Sequence, residues 1–153
     1  FRIKNRGLAF VMDQLHLKKE DKILFFDTDT YFHKSPLQLF ELIQPNQALY
    51  YLNEGLIYKR KRFNVYVKNL EGKQIDLGGH SYELTKSSAM WGSLMIGIMP
   101  NMRSSLEWAD KLMIQLFNEV PAHTIEPFSL SEMLIKKIQV SRRKEVCWTI
   151  FFF

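Results

Sequence analysis

A chain of 153 residues, 46% hydrophobic and 14% aromatic, is long enough for one domain with a sizeable core and too apolar for a disordered one. Its formal charge of +5 suits an anionic partner without choosing among nucleotide, nucleic acid and anionic lipid, and 24% charged residues is ordinary for a soluble protein. Cys147 is the single cysteine, so no disulfide forms within these residues, and no apolar run reaches the roughly 20 residues of a membrane span.

Leu8, Val11, Met12 and Leu15 recur at three- and four-residue steps, which predicts an amphipathic helix over residues 4–17 with those four facing inward. A charged break at 18–21 precedes an apolar strand, Ile23–Phe26, that runs straight into Asp27. Ser35 before Pro36 starts a helix to about Ile43, because Pro suits the first helical position and Ser can cap it. Residues 48–52 read as a second strand. Residues 57–77 read as a basic hairpin, with 64–67 and 74–77 flanking a turn at 69–73, and 78–81 as a loop. Residues 90–99 form a third apolar strand, stopped by Pro100. Asn101 should cap a helix to about Asn118, with Leu106, Ala109, Leu112, Met113, Leu116 and Phe117 inward. A short helix should follow near 129–138. The alternation is that of one α/β domain over residues 1–153.

Asp27 and Asp29 close the first strand, although Asp is a poor strand residue and costly to bury unpaired. Either they mark a solvated turn, with Asp29 capping the next bend, or something positive sits there. In extended chain, residues i and i+2 point the same way, so both carboxylates address one cation. Ligands of open α/β sheets bind beyond the carboxyl ends of strands. A hard divalent ion such as Mg²⁺ or Mn²⁺ takes one or two carboxylates and fills its shell with water and phosphate oxygens. The pair therefore reads as half of a site whose other half is a diphosphate.

The segment DKILFFDTDTYFHKSPLQLFELI, residues 21–43, resembles the metal-binding segment of nucleotide-sugar glycosyltransferases of the GT-A fold: apolar strand, Asp-x-Asp, bend, then a Pro- or Leu-led helix. The preceding helix, with Lys4 and Arg6, resembles the family helix that carries basic residues near the donor. MWGSLMIGI, residues 90–98, is similar to the family strand Trp-Asn-Ser-Gly-Val-Ile-Gly-Ile at Trp91, Ser93, Ile96, Gly97 and Ile98. HTIEPFSLSEML, residues 123–134, is similar to the family's His-Thr-x-Glu-Gln-Phe at His123, Thr124, Glu126 and Phe128. The chain departs from the pattern at Gly92, Leu94 and Pro127, and residues 145–153 lack the His that often supplies a third metal ligand.

The resemblance implies a GT-A-like (Rossmann-like) mixed sheet flanked by helices, present in part, since the base-binding strands would precede Phe1. An exposed apolar surface would then await missing chain or a partner. It further implies Mn²⁺ or Mg²⁺ on Asp27 and Asp29, and a nucleoside-diphosphate sugar contacted by Lys4, Arg6, Thr28, Trp91 and Ser93. Glu126 would bind acceptor hydroxyls or do acid–base work. The acceptor would be a glycan, lipid or protein, with no nucleic acid partner, in the cytoplasm or at a membrane surface.

Plainer readings stand beside these. Trp91, Met95 and Met99 suit a core strand, Trp108 suits helix packing, and His80 suits an exposed loop. The run Tyr58, Lys59, Arg60, Lys61, Arg62 suits a solvated face, with contact to anionic lipid or phosphate as the sharper alternative. A haloacid-dehalogenase-like phosphatase also opens with an apolar strand and Asp-x-Asp. It needs Thr or Val where Tyr31 stands, and a later acidic pair that neither other strand supplies. A GT-A-like module that only binds is the non-enzymatic alternative.

Overall fold

The computed structural model describes residues 3–30, 32, 35–134 and the backbone of 137–139. Cys147 and the phenylalanines 151–153 lie outside the described residues.

Among the described residues, strand β5 (Ala89–Ile98) is the spine of a four-stranded mixed sheet in the order β1-β5-β2-β6. It pairs antiparallel with β1 (Ile23–Phe26) and with β2 (Ala48–Leu56), and β2 pairs parallel with β6 (Lys137–Gln139). Side chains alternate between two cores as the pleat requires. Ile23, Phe25, Ala48, Tyr50, Ile96 and Ile98 join the larger core, which also takes Leu8 and Met12 of α1 (Ile3–Gln14). Leu106, Leu112 and Leu116 of α4 (Arg103–Glu119) and Phe128 and Leu130 of α5 (Ile125–Met133) complete that side. Leu24, Phe26, Leu49 and Met95 face the smaller core with Leu39 and Ile43, from α2 (Leu37–Leu42) and its end. Gly97 permits that second layer, because a Cβ there would stand 2.8 Å from Ile43 Cγ1. The mixed α/β class read from the sequence holds.

Several expectations are corrected. The apolar strand Ile23–Phe26 is an edge strand among the described residues, and each of its four residues is half-buried. Residues 64–67 are helical, not a hairpin arm: they belong to α3 (Asn64–Leu70). Phe63, Tyr66 and Leu70 fall three and four apart and are all buried, so the helical period outweighs the β-branched valines. The hairpin lies later, pairing β3 (Gln74–Asp76) with β4 (Ser81–Glu83) around Gly78 and Gly79, both at positive φ. Asn101 does not cap α4. Pro100–Met102 forms a 3₁₀ turn, and Asn101 Nδ2 instead donates to Asn46 Oδ1 at 2.6 Å. The helix expected at 129–138 begins earlier, at Ile125, and gives way to β6. Pro36 takes the N-cap position of α2, with Leu37 N–H donating to Ser35 Oγ at 3.4 Å.

Not every predicted inward residue is inside. Phe117 is 62% exposed and Leu15 66%, and on α1 Ile3 and Phe10 also face outward. The narrow buried stripe of α1 is Asn5, Leu8 and Met12. Among the described residues no helix is long and apolar enough to cross a membrane.

Candidate functional site

Asp27 leaves β1 on the side of the larger core, in step with Ile23 and Phe25. Its N–H continues the strand pairing by donating to Leu94 O at 3.0 Å. The chain then turns at once, Thr30 N–H donating to Asp27 O at 3.0 Å. The extended geometry expected for the two carboxylates therefore does not hold. Asp27 is half-buried and Asp29 is exposed on the turn beside the likewise exposed Thr28. Beyond the turn the Phe32 ring meets Phe26 edge-on at 4.5 Å, which anchors the returning chain to the end of β1.

The positive charge opposite Asp27 comes from α1. Lys4 Nζ donates to Asp27 Oδ2 at 2.8 Å, to Ser93 Oγ at 3.1 Å and to Ser93 O at 3.2 Å. It also lies 5.6 Å from the centre of the Phe25 ring. The ammonium can donate three hydrogen bonds, and these oxygens take all three. Ser93 is available for a structural reason. Opposite β2, the pairing steps from Tyr50↔Ile96 to Leu52↔Gly92, so four steps on β5 face two on β2. The irregularity removes Ser93 from the ladder with β2. Such bulges redirect backbone groups, and here the Ser93 carbonyl points at lysine.

Glu126 joins from the first turn of α5. Its Oε1 accepts the backbone N–H of Lys4 at 2.9 Å, capping the first turn of α1, where a negative group is favoured. Burial pushes the Glu126 carboxyl above the ordinary carboxylate range, and the N–H and charge of Lys4 only partly oppose that. The start of α5 is itself well held. Tyr66 stacks on Phe128 with ring centres 4.1 Å apart, and the Tyr66 hydroxyl is 2.8 Å from Thr124 Oγ1. Burial raises the Tyr66 phenol to about 12, so it stays neutral.

Lys4, Asp27, Ser93 and Glu126, chosen from four separate stretches of sequence, thus meet around one lysine. Arg6 does not join them. Two residues along a helix turns it about 200° from Lys4, and its Nε lies 3.7 Å from Asp110 Oδ2. Trp91 is half-buried, its ring centre 5.6 Å from that of Tyr50 and its backbone N–H donating to Ser131 Oγ at 2.8 Å, which suits packing. His123 and His80 are exposed, the latter with its ring 5.2 Å from that of Trp108. Of the basic run, Arg62 pairs with Glu54 at 2.8 Å, while Lys59, Arg60 and Lys61 stay exposed.

Sequence reasoning missed the ion pair between Lys4 and Asp27 and the bulge that turns Ser93. No local signal encodes a contact between residues 23 or 89 apart. As metal ligands the carboxylates fit only an ion held largely by water and substrate oxygens. Among the described residues no three His, Cys, Asp or Glu side chains gather to hold one. No family model, no curated protein and no solved structure matches this chain.

Proposed function

We propose that this chain is the core of a metal-dependent glycosyltransferase with a GT-A-like fold, using a nucleoside-diphosphate sugar. One observation supports it above the others: Lys4, Asp27, Ser93 and Glu126 converge at the carboxyl end of a sheet strand. A cation and two acids beyond a strand end suit a diphosphate and a hydroxyl acceptor.

In this reading Asp27 and Asp29 would hold Mn²⁺ or Mg²⁺, which would supply positive charge to offset that of a leaving diphosphate. Lys4 releases part of its hold on Asp27 and offers its ammonium to a phosphate oxygen. The acceptor oxygen bonds to the sugar's anomeric carbon as the carbon–oxygen bond to diphosphate breaks. The diphosphate keeps that electron pair, and Glu126 takes the hydroxyl proton. A carboxylate whose proton affinity is raised by burial suits that role. The same proposal places the reaction in the cytoplasm or at a membrane surface.

A non-catalytic module is the second reading, favoured by the ion pair itself, because Lys4 occupies the oxygen a metal would need. Calorimetry with uridine diphosphate separates the two. Binding that requires Mn²⁺, disappears with chelator and is lost in both Asp27→Asn and Asp29→Asn supports the transferase. Equal affinity under all four conditions removes it.

A further inference from the structure

We propose that the cavity between the end of α4 and the start of α5 is the acceptor subsite, and that it takes an apolar molecule bearing a hydroxyl. The identification of its occupant as an acceptor rests on the transferase reading above.

The cavity measures about 310 Å³, at the lower end of the range for small-molecule sites. Met113 and Phe117 of α4 form one wall, and Ala122 and Ile125 face them. His123 and Glu126 supply its polar groups. Phe117, though 62% exposed, sits on the cavity wall, and Ile114, 46% exposed, extends the apolar surface outward along α4. An exposed phenylalanine beside a cavity is a ready contact for a ring or alkyl chain.

Glu126 belongs to both places. It lines the cavity, and its Oε1 caps the helix turn whose Lys4 ammonium holds Asp27. A hydroxyl that reaches Glu126 from the cavity is therefore one residue from the proposed donor site. Charge narrows the occupant. A carboxylate at the polar end repels an anion, whereas a neutral alcohol donates its proton to it. The mostly apolar walls offer few partners to a free sugar, whose many hydroxyls would be stripped of water. Of a glycan, a peptide or a lipid-like alcohol, the walls favour the last.

The test uses the whole chain with ¹³C-methyl methionine and needs neither metal nor nucleotide. 2-Phenylethanol should shift the Met113 methyl resonance saturably while Met95 and Met99, in the other core, stay fixed. Phenylacetate, the anion of matching shape, should bind at least about ten-fold more weakly. Ala122→Trp should fill the cavity and abolish the Met113 response. Phe117→Gln, at an exposed position that the core does not need, should weaken it several-fold. An unmoved Met113, a uniform drift of all methyls, or equal affinity for the anion overturns the proposal, whatever uridine diphosphate does. A saturable Met113 shift without Mn²⁺-dependent nucleotide binding keeps the alcohol site and removes the transferase.

Discussion

Two half-buried carboxylates tie helices to strand β5, and they are built on different principles. Glu132 of α5 is surrounded by neutral donors: Ser88 Oγ at 2.6 Å and Tyr82 OH at 3.1 Å on Oε2, and Ala89 N–H at 3.3 Å on Oε1. Burial, reinforced by the negative charge of Glu132, pushes the Tyr82 phenol far above its usual range, so that donor does not ionise. Asp27 instead faces a full positive charge on a long side chain. The Glu132 cluster is closed and fixed by groups that cannot leave. The Asp27 cluster is held by an ammonium on a flexible stem that another cation or an anion can displace. A clamp and a site therefore differ less in carboxylate burial than in what neutralises them.

The sharpest way to break that contrast is to neutralise each acid in turn. Asp27→Asn should weaken Mn²⁺-dependent binding of uridine diphosphate by at least about 100-fold, a loss beyond that of a supporting residue. Glu132→Gln should leave it unchanged in the same calorimetric titration. A shared loss would mean that both acids act only through the fold.

Stability should reverse the order. Glu132→Ala strands the buried hydroxyls of Ser88 and Tyr82, and about 2–4 kcal/mol should disappear from the denaturant unfolding free energy. Lys4→Met should cost less, about 1–2 kcal/mol, because the ion pair is partly solvated and the methionine stem still packs on Phe25. The same variant should bind Mn²⁺ alone more tightly, since Asp27 loses its competitor. Weaker Mn²⁺ binding would mean that lysine organises the carboxylate.

The smallest effect is a pH dependence at Glu126. Its raised proton affinity means that the folded state favours the protonated carboxyl. Its contribution to stability is thus complete below the ordinary carboxylate range and is lost as pH rises through its folded value. Glu126→Gln keeps an acceptor for Lys4 N–H and removes the titration. Its advantage over the native chain should therefore be absent in acid and grow as pH rises above about 4.5. A difference independent of pH would remove burial as the cause.

The strands were legible where apolar runs were long: Ile23–Phe26 was exact, and residues 90–99 nearly coincide with β5. Residues 64–67 misled because two valines suit a strand in isolation, whereas the burial of Tyr66 and Leu70 was decided by packing from far along the chain. Of the candidate site, the sequence singles out Lys4, Asp27, Ser93 and Glu126 one by one, and it does not show that they meet. Glu126 and Lys4 are 122 residues apart, and the seating of α5, to which the Tyr66–Phe128 stack contributes, brings them together. Asp29 pairs with Asp27 only in extended chain, which the hydrogen bond from Thr30 N–H to Asp27 O ends.

The bulge on β5 bears on which insertions and deletions this domain can survive. Ser93, Leu94 and Met95 lie between the residues paired to Leu52 and Tyr50. Because the pleat has a period of two, removing one of them sends the rest of the strand to the opposite faces: Ile96 and Ile98 would leave the larger core. Removing Ser93 and Leu94 together keeps Met95, Ile96 and Ile98 on their faces, while the Ser93 contacts to Lys4 are lost. Deleting that pair therefore removes the Ser93 arm of the candidate site without removing the fold, whereas deleting one residue disrupts both.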